Sequence, residues 1–312
     1  ERLQYLKPDS DWPEVLNNST ARFVLLGIPE DFGVKANYGI GGTETAWLSF
    51  LNAFLNTQSN DYLTGENVLL LGHFDFGDIK FLIENNAYND EEKVDAYSHA
   101  LNLVDGEVED ILKVIASANK IPIIKGVAKG LHKAEKVPLS QINCINLDAH
   151  THYHAASGRH NGNGFRYAEE DGYLGKYCMI GLHENYIPQN VLMDIHNNPF
   201  IDYITYEEIF IHERKNFIQA VAHATGFTED NFTGIEIDLD SLEDTLSSSV
   251  TPSGISPLLA RKYVTFAAQD CKVAYLHICE GAVQLADGRK NDSTGKLITY
   301  LVSDFVKELS QD

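Results

Sequence analysis

Short apolar runs alternate with stretches of helical period along most of the chain. Arg22-Phe-Val-Leu-Leu-Gly-Ile-Pro29, Val68-Leu-Leu-Leu-Gly72 and Ile121-Pro-Ile-Ile124 read as buried strands, and 141–149, 176–182, 201–206, 233–240 and 273–280 add further candidates. Continuous apolar runs of about four to eight residues are what a strand covered on both faces carries. Apolar positions recur at helical spacing over 43–56, 188–196, 215–225, 256–270 and 297–309, and 91–119 reads as one long helix or two abutting ones. Thr43 is placed to cap the first of these, with Glu44 in its opening turn. Strands alternating with helices predict a mostly parallel sheet of about eight strands with helices on both faces, a three-layer α/β/α fold. With no linker, repeat or low-complexity tract, the expectation is one domain over 1–312.

Composition changes that picture little but narrows the partners. Hydrophobic content of 44% supplies a substantial core, and a formal charge of -21 argues against nucleic acid or an anionic membrane surface. No apolar run approaches the ~20 residues needed to cross a bilayer. The charged start, Glu1-Arg-Leu-Gln-Tyr-Leu, does not resemble a signal peptide, so a cytoplasmic protein is expected. Cys144, Cys178, Cys271 and Cys279 form no CxxC pair, and reduced thiols are the expectation.

Two strand exits carry candidate chemistry. After Ile142-Asn-Cys-Ile-Asn-Leu147 come Asp148, His150, His152 and His154, alternating with Ala149, Thr151 and Tyr153. Extended backbone sends alternate residues to one face, so a carboxylate and several imidazoles would project together. In Phe232-Thr-Gly-Ile-Glu-Ile-Asp-Leu-Asp240 the pattern recurs with Asp238 and Asp240. Two aspartates this close repel unless a proton or cation intervenes. Mixed imidazole and carboxylate ligands suit manganese, iron, zinc or nickel better than calcium or magnesium.

These motifs resemble those of the ureohydrolases, the family of arginase, agmatinase and formimidoylglutamase. Asp148-Ala-His150-Thr-His152 looks like the family's Asp-Ala-His-x-Asp, and Glu236-Ile-Asp238-Leu-Asp240 is similar to its Ser-x-Asp-x-Asp. Thr251-Pro-Ser-Gly254 resembles the turn beneath the substrate, and Leu276-His-Ile-Cys-Glu280 the strand whose last glutamate binds the guanidinium or amidine. Gly158-Arg-His-Asn-Gly-Asn-Gly-Phe165 looks most like the formimidoylglutamase branch. The resemblance runs from about residue 20 to the end. It implies an arginase/deacetylase-like fold with metals, two Mn2+ per subunit, held by Asp148, His150, His152, Asp238 and Asp240. A bridging water, deprotonated there, would attack the amidine carbon. Asp148 and Glu280 would be catalytic, and Glu280, His154, Asn163 and Thr251 would line the substrate. The implied reaction takes N-formimidoyl-L-glutamate to glutamate and formamide, with arginine or agmatine hydrolysis as the alternative. A homo-oligomer, trimer or hexamer, is also implied.

Two departures from the family pattern bear on activity. The family's first ligand is a histidine in a Gly-Gly-x-His turn after the third strand, whereas Ile124 here runs into Lys125-Gly-Val-Ala-Lys-Gly-Leu131, which reads as helix. His132 lies too far along to replace that ligand. His152 stands where the family has an aspartate. A metal-depleted member acting as a binding or regulatory subunit is therefore a rival reading, and a single-metal, deacetylase-like hydrolase a further one. His73 and Asp75 read as a structural turn. Arg159, His160 and Arg166 flank the presumed pocket, where an arginine could hold an α-carboxylate.

Overall fold

The computed structural model describes residues 3–7, 10–126 and 141–311. Nine strands form one sheet: β1 (Gln4–Tyr5), β2 (Phe23–Gly27), β3 (Val68–His73), β4 (Ile121–Lys125), β5 (Ile142–Leu147), β6 (Leu174–Leu182), β7 (Ile201–Thr205), β8 (Phe232–Asp238) and β9 (Lys272–Cys279). Their order is β1-β3-β2-β4-β9-β8-β5-β6-β7. Every ladder is parallel. The eight strands read from the sequence are all present. The additional one, β1, is a two-residue edge strand too short to carry a periodic signal.

Helices cover both faces. Ala46–Leu55, Phe217–Phe227, Pro257–Asp270 and Thr294–Leu309 contribute to the core on one side. The last buries Ile298, Leu301, Val302, Phe305, Val306 and Leu309 at helical spacing. On the other side Asp90–Ser117 is one continuous helix, burying Leu101, Val104, Val108, Leu112 and Ile115 against Val24, Leu26 and Ile124. Asn89 caps it by accepting from the Glu92 amide at 2.9 Å, and acidic residues fill its first turn. Thr43 does not cap the helix that follows it. Residues Thr43–Thr45 form a 3-10 turn, and the Thr43 hydroxyl donates to the Glu30 carbonyl at 2.7 Å.

Because all strands run one way, the carboxyl ends of β4, β9, β8 and β5 lie side by side at one edge. Ligands of open parallel sheets bind at such an edge. Lys125 belongs to this edge as the last residue of β4, not to a helix, because its backbone pairs with Gly27 and Ile278 on either side. The remainder of the stretch read as helix, with His132, lies outside the described residues.

Candidate metal centre

β5 ends at Leu147, earlier than the alternating pattern suggested, and the ligand-bearing residues beyond it form a loop. His152 sits at φ 46, in the left-handed region that costs a β-substituted residue strain. That turn returns its imidazole to Asp148 rather than alternation doing so. Its Nε2 lies 3.1 Å from Asp148 Oδ2 and 3.1 Å from Asp238 Oδ2, and its Nδ1 is 2.6 Å from the Asn161 carbonyl. The His150 Nδ1 lies 3.2 Å from Asp240 Oδ2 and 3.9 Å from Asp148 Oδ1. Two triads result, Asp148–His150–Asp240 and Asp148–His152–Asp238, sharing Asp148.

Asp238 closes β8, but Asp240 stands on a 3-10 turn, Leu239–Ser241, whose amide at Asp240 donates to Asp238 Oδ1 at 2.9 Å. The pair is thus aimed by a turn, not by strand alternation. All three carboxylates are buried. Burial and the neighbouring Asp238 push Asp240 well above the usual carboxylate range, and burial likewise raises Asp148. Burial acts on Asp238 too, but hydrogen bonding and charge from His152 prevail and hold it low. Burial alone would lower His150, yet Asp240 and Asp148 hold it up at about 9. The site is a cluster of three buried carboxylates facing two imidazoles.

His154 stands apart. Its amide donates to the Gly162 carbonyl at 3.1 Å and its ring meets the His160 ring edge-on at 6.3 Å, so the expected fan of three histidines is a pair. Asn163 is fully buried with its amide spent on the Ala155 and Gly158 carbonyls, at 3.3 and 2.7 Å. Thr251 is buried, and its hydroxyl accepts from the Ser253 amide at 3.2 Å. The flanking arginines are committed elsewhere. Buried Arg159 pairs with Asp105 at 2.9 Å, whereas Arg166 pairs with Glu170 at 3.0 Å and lies over Tyr153. Each guanidinium already has a carboxylate partner.

Glu280 follows β9 directly, at φ 48, and is almost wholly buried. Its carboxylate accepts from Asn161 Nδ2 at 3.0 Å and Ser248 Oγ at 2.9 Å, and its carbonyl from Lys125 Nζ at 2.6 Å. Burial and the charge of Asp238 raise its pKa. Asn161, Ser248 and Lys125 were not singled out by sequence reasoning. Asn161 and Ser248 carried no signal beyond their loops, whereas a lysine closing an apolar strand, as Lys125 does, was a usable one. Burial pulls the Lys125 ammonium down, opposed by Cys279, Glu280 and Asp238. Beneath these groups, Glu236 joins the strands: it accepts from the Tyr275 hydroxyl at 2.7 Å and meets His277 Nδ1, while His277 Nε2 meets the Gly126 carbonyl.

A family model described as the arginase family matches residues 21–305. The chain belongs to the arginase family. No curated protein sequence matches it. Solved structures of the same fold are distant in sequence. Formimidoylglutamase from Bacillus subtilis is 15% identical with a TM-score of 0.74, covering 99% of this chain and 91% of that one. Trypanosoma cruzi formiminoglutamase with Mn2+ is 18% identical at a TM-score of 0.72, covering 96% and 98%. Agmatine ureohydrolase of Thermoplasma volcanium is 16% identical at 0.67, covering 97% and 92%.

The arginase family uses a binuclear metal centre, and the residues at this edge fit one. Three buried carboxylates and two imidazoles offer hard oxygen and borderline nitrogen donors. Asp240 Oδ1 is buried with no hydrogen-bond partner among the described residues, which a cation would satisfy. Outer contacts orient the donors: Asn146 Nδ2 donates to Asp148 Oδ2 at 2.8 Å, and the His150 amide to Asp148 Oδ1 at 2.7 Å.

Proposed function

We propose that this arginase-family hydrolase cleaves the C–N bond of a linear amidine, with N-formimidoyl-L-glutamate the leading candidate substrate. The observation carrying this reading is Glu280, a buried carboxylate at the end of β9, held by Asn161 and Ser248. Such a carboxylate, buried and within reach of the Asp238 charge, favours a planar cation able to give it two hydrogen bonds. Asp148, His150, His152, Asp238 and Asp240 would hold the metals, proposed as Mn2+. Bound cations supply a water acidified to near-neutral pKa and stabilise charge developing on the attacked carbon's substituents.

The chain's own groups do the rest. Asn161 and Ser248 fix the Glu280 carboxyl so that it orients the amidine, and Lys125 pins the same residue's backbone. Asn146 holds Asp148 in place through the Oδ2 it shares with His152. The loop Gly158–Phe165, braced by Arg159 on Asp105 and by Asn163, resembles the formimidoylglutamase branch and supports that substrate over arginine or agmatine. The experiment offers manganese-loaded protein N-formimidoyl-L-glutamate, arginine and agmatine, and measures formamide and urea. Release of formamide, lost in Glu280→Gln with metal content retained, supports the reading. Absence of turnover on all three with Asp238→Ala leaving metal content unchanged would sink it.

A second reading, a metal-poor binding or regulatory subunit, is favoured by one observation. Lys125 brings a buried ammonium to the carboxylate edge, and His152 brings an imidazole where the family has a carboxylate, so positive charge is already built in. Two metals per chain favour the hydrolase; one or none, without turnover, favours the alternative. A homo-oligomer is proposed with either reading. No helix among the described residues is long and apolar enough to cross a membrane.

A further inference from the structure

A second cavity lies at the same sheet edge, beyond the carboxyl ends of β2 and β3, with a volume of about 280 Å3. Its wall includes Asp31, Glu44, Trp47, Asp75, Phe76 and Lys80. It adjoins the smaller space behind Glu280: Pro29, Glu30 and Trp47 line both, whereas Asp31, Glu44, Asp75 and Lys80 line only the larger cavity.

Hydrogen bonding in this cavity is half complete. Lys80 Nζ donates to Asp31 Oδ2 at 3.1 Å and to Glu44 Oε1 at 2.7 Å. Lys35 also reaches Asp31 Oδ2, at 3.4 Å. The second oxygen of each carboxylate, Asp31 Oδ1 and Glu44 Oε2, is buried with no partner among the described residues. So is Trp47 Nε1, the indole donor of a side chain that is 1% exposed. Asp31 itself is 2% exposed. Buried polar atoms left unpaired each carry a desolvation cost, and all three belong to side chains that line this one cavity. Two of them need donors and one needs an acceptor. Asp31, Glu44 and Asp75 face the Lys80 ammonium on the wall, with Lys35 also at Asp31 and Glu30 raised to about 8 by burial, so carboxylates still outnumber ammoniums and the field favours a cation. Trp47, Phe74 and Phe76 supply aromatic lining beside them.

We propose that this cavity binds a small organic cation, an ammonium or amidinium whose N–H groups take Asp31 Oδ1 and Glu44 Oε2. An acceptor oxygen on the same molecule takes Trp47 Nε1. The site adjoins the Glu280 pocket through Glu30 and Trp47, but its carboxylates, Asp31 and Glu44, are its own, and its test does not require turnover.

Trp47 is its own reporter, since Trp12 is the only other tryptophan. The experiment titrates Trp12→Phe, Glu280→Gln protein, in which the amidine pocket is disabled, with β-alaninamide and with the uncharged propionamide. Trp47 emission is followed. β-Alaninamide is expected to give a saturable change and propionamide none. Asp31→Asn weakens binding at least about tenfold through loss of a charge-assisted bond. Glu44→Gln, at a partly exposed side chain, gives the same direction should Asp31→Asn fail to fold. Lys80→Met removes the competing ammonium and tightens binding by about threefold or more. Equal response to propionamide, no saturable change, or weaker binding in Lys80→Met overturns the proposal.

Discussion

His152 shows how one residue sets the chemistry of a site. Its imidazole lies 3.1 Å from both Asp148 and Asp238, which hold it well above the ordinary histidine range even though burial acts the other way. A divalent cation must displace that proton to bind. His152→Asp would replace a protonated ring with a carboxylate, and is expected to tighten metal binding about tenfold or more, read by chelator competition and elemental analysis. Asp148→Ala should remove a ligand common to both triads and abolish retained metal altogether. Glu30 gives a pH-dependent prediction. Burial, helped by Asp31, pushes it from 4.5 up to about 8 against the Gly33 and Phe32 amides that pull it down. Between those values the folded state keeps a proton that the unfolded chain has released, so stability falls as pH rises through the window. Glu30→Gln should remove that fall, gaining on the order of a few kcal/mol near pH 7.5 relative to about pH 5 in urea unfolding.

The elements differ in how far local pattern specified them. The helix Thr294–Leu309 was legible because its buried positions follow helical period and face one partner surface. Phe305 is fully buried and meets Phe23 of β2 at 5.9 Å, edge to face. Phe305→Ala should cost about 3–5 kcal/mol in chemical denaturation, from lost burial and the void left behind. Strand ends were less legible. β5 and β8 stop at Leu147 and Asp238, and the ligands beyond them are placed by a left-handed residue and a 3-10 turn. Apolar runs locate a strand's buried middle, but its exit depends on which neighbour's backbone remains available to pair. Lys125 follows the same rule: Gly27 and Ile278 pair with it on either side and keep it in the sheet.

At the scale of the molecule, one sheet threads residues 4 to 279, with β4 and β9 adjacent despite their separation in sequence. A shared sheet with cores on both faces predicts one cooperative urea transition, with Trp47 fluorescence and far-UV circular dichroism coinciding. Two separated transitions would show that the chain is more than one domain. The sequence alone was enough for the α/β/α class, eight of the strands and the five metal-ligand candidates, because periodicity and ligand chemistry are local properties. Only the tertiary structure decided that His154 turns away to His160, that Arg159 is spent on Asp105, and that Asn161 and Ser248 hold Glu280. It also decided the unpaired oxygens around Lys80. Those facts depend on which side chains meet across distant segments. That is fixed by strand order and by the competition among buried groups for partners, neither of which is written in the spacing along one stretch of chain.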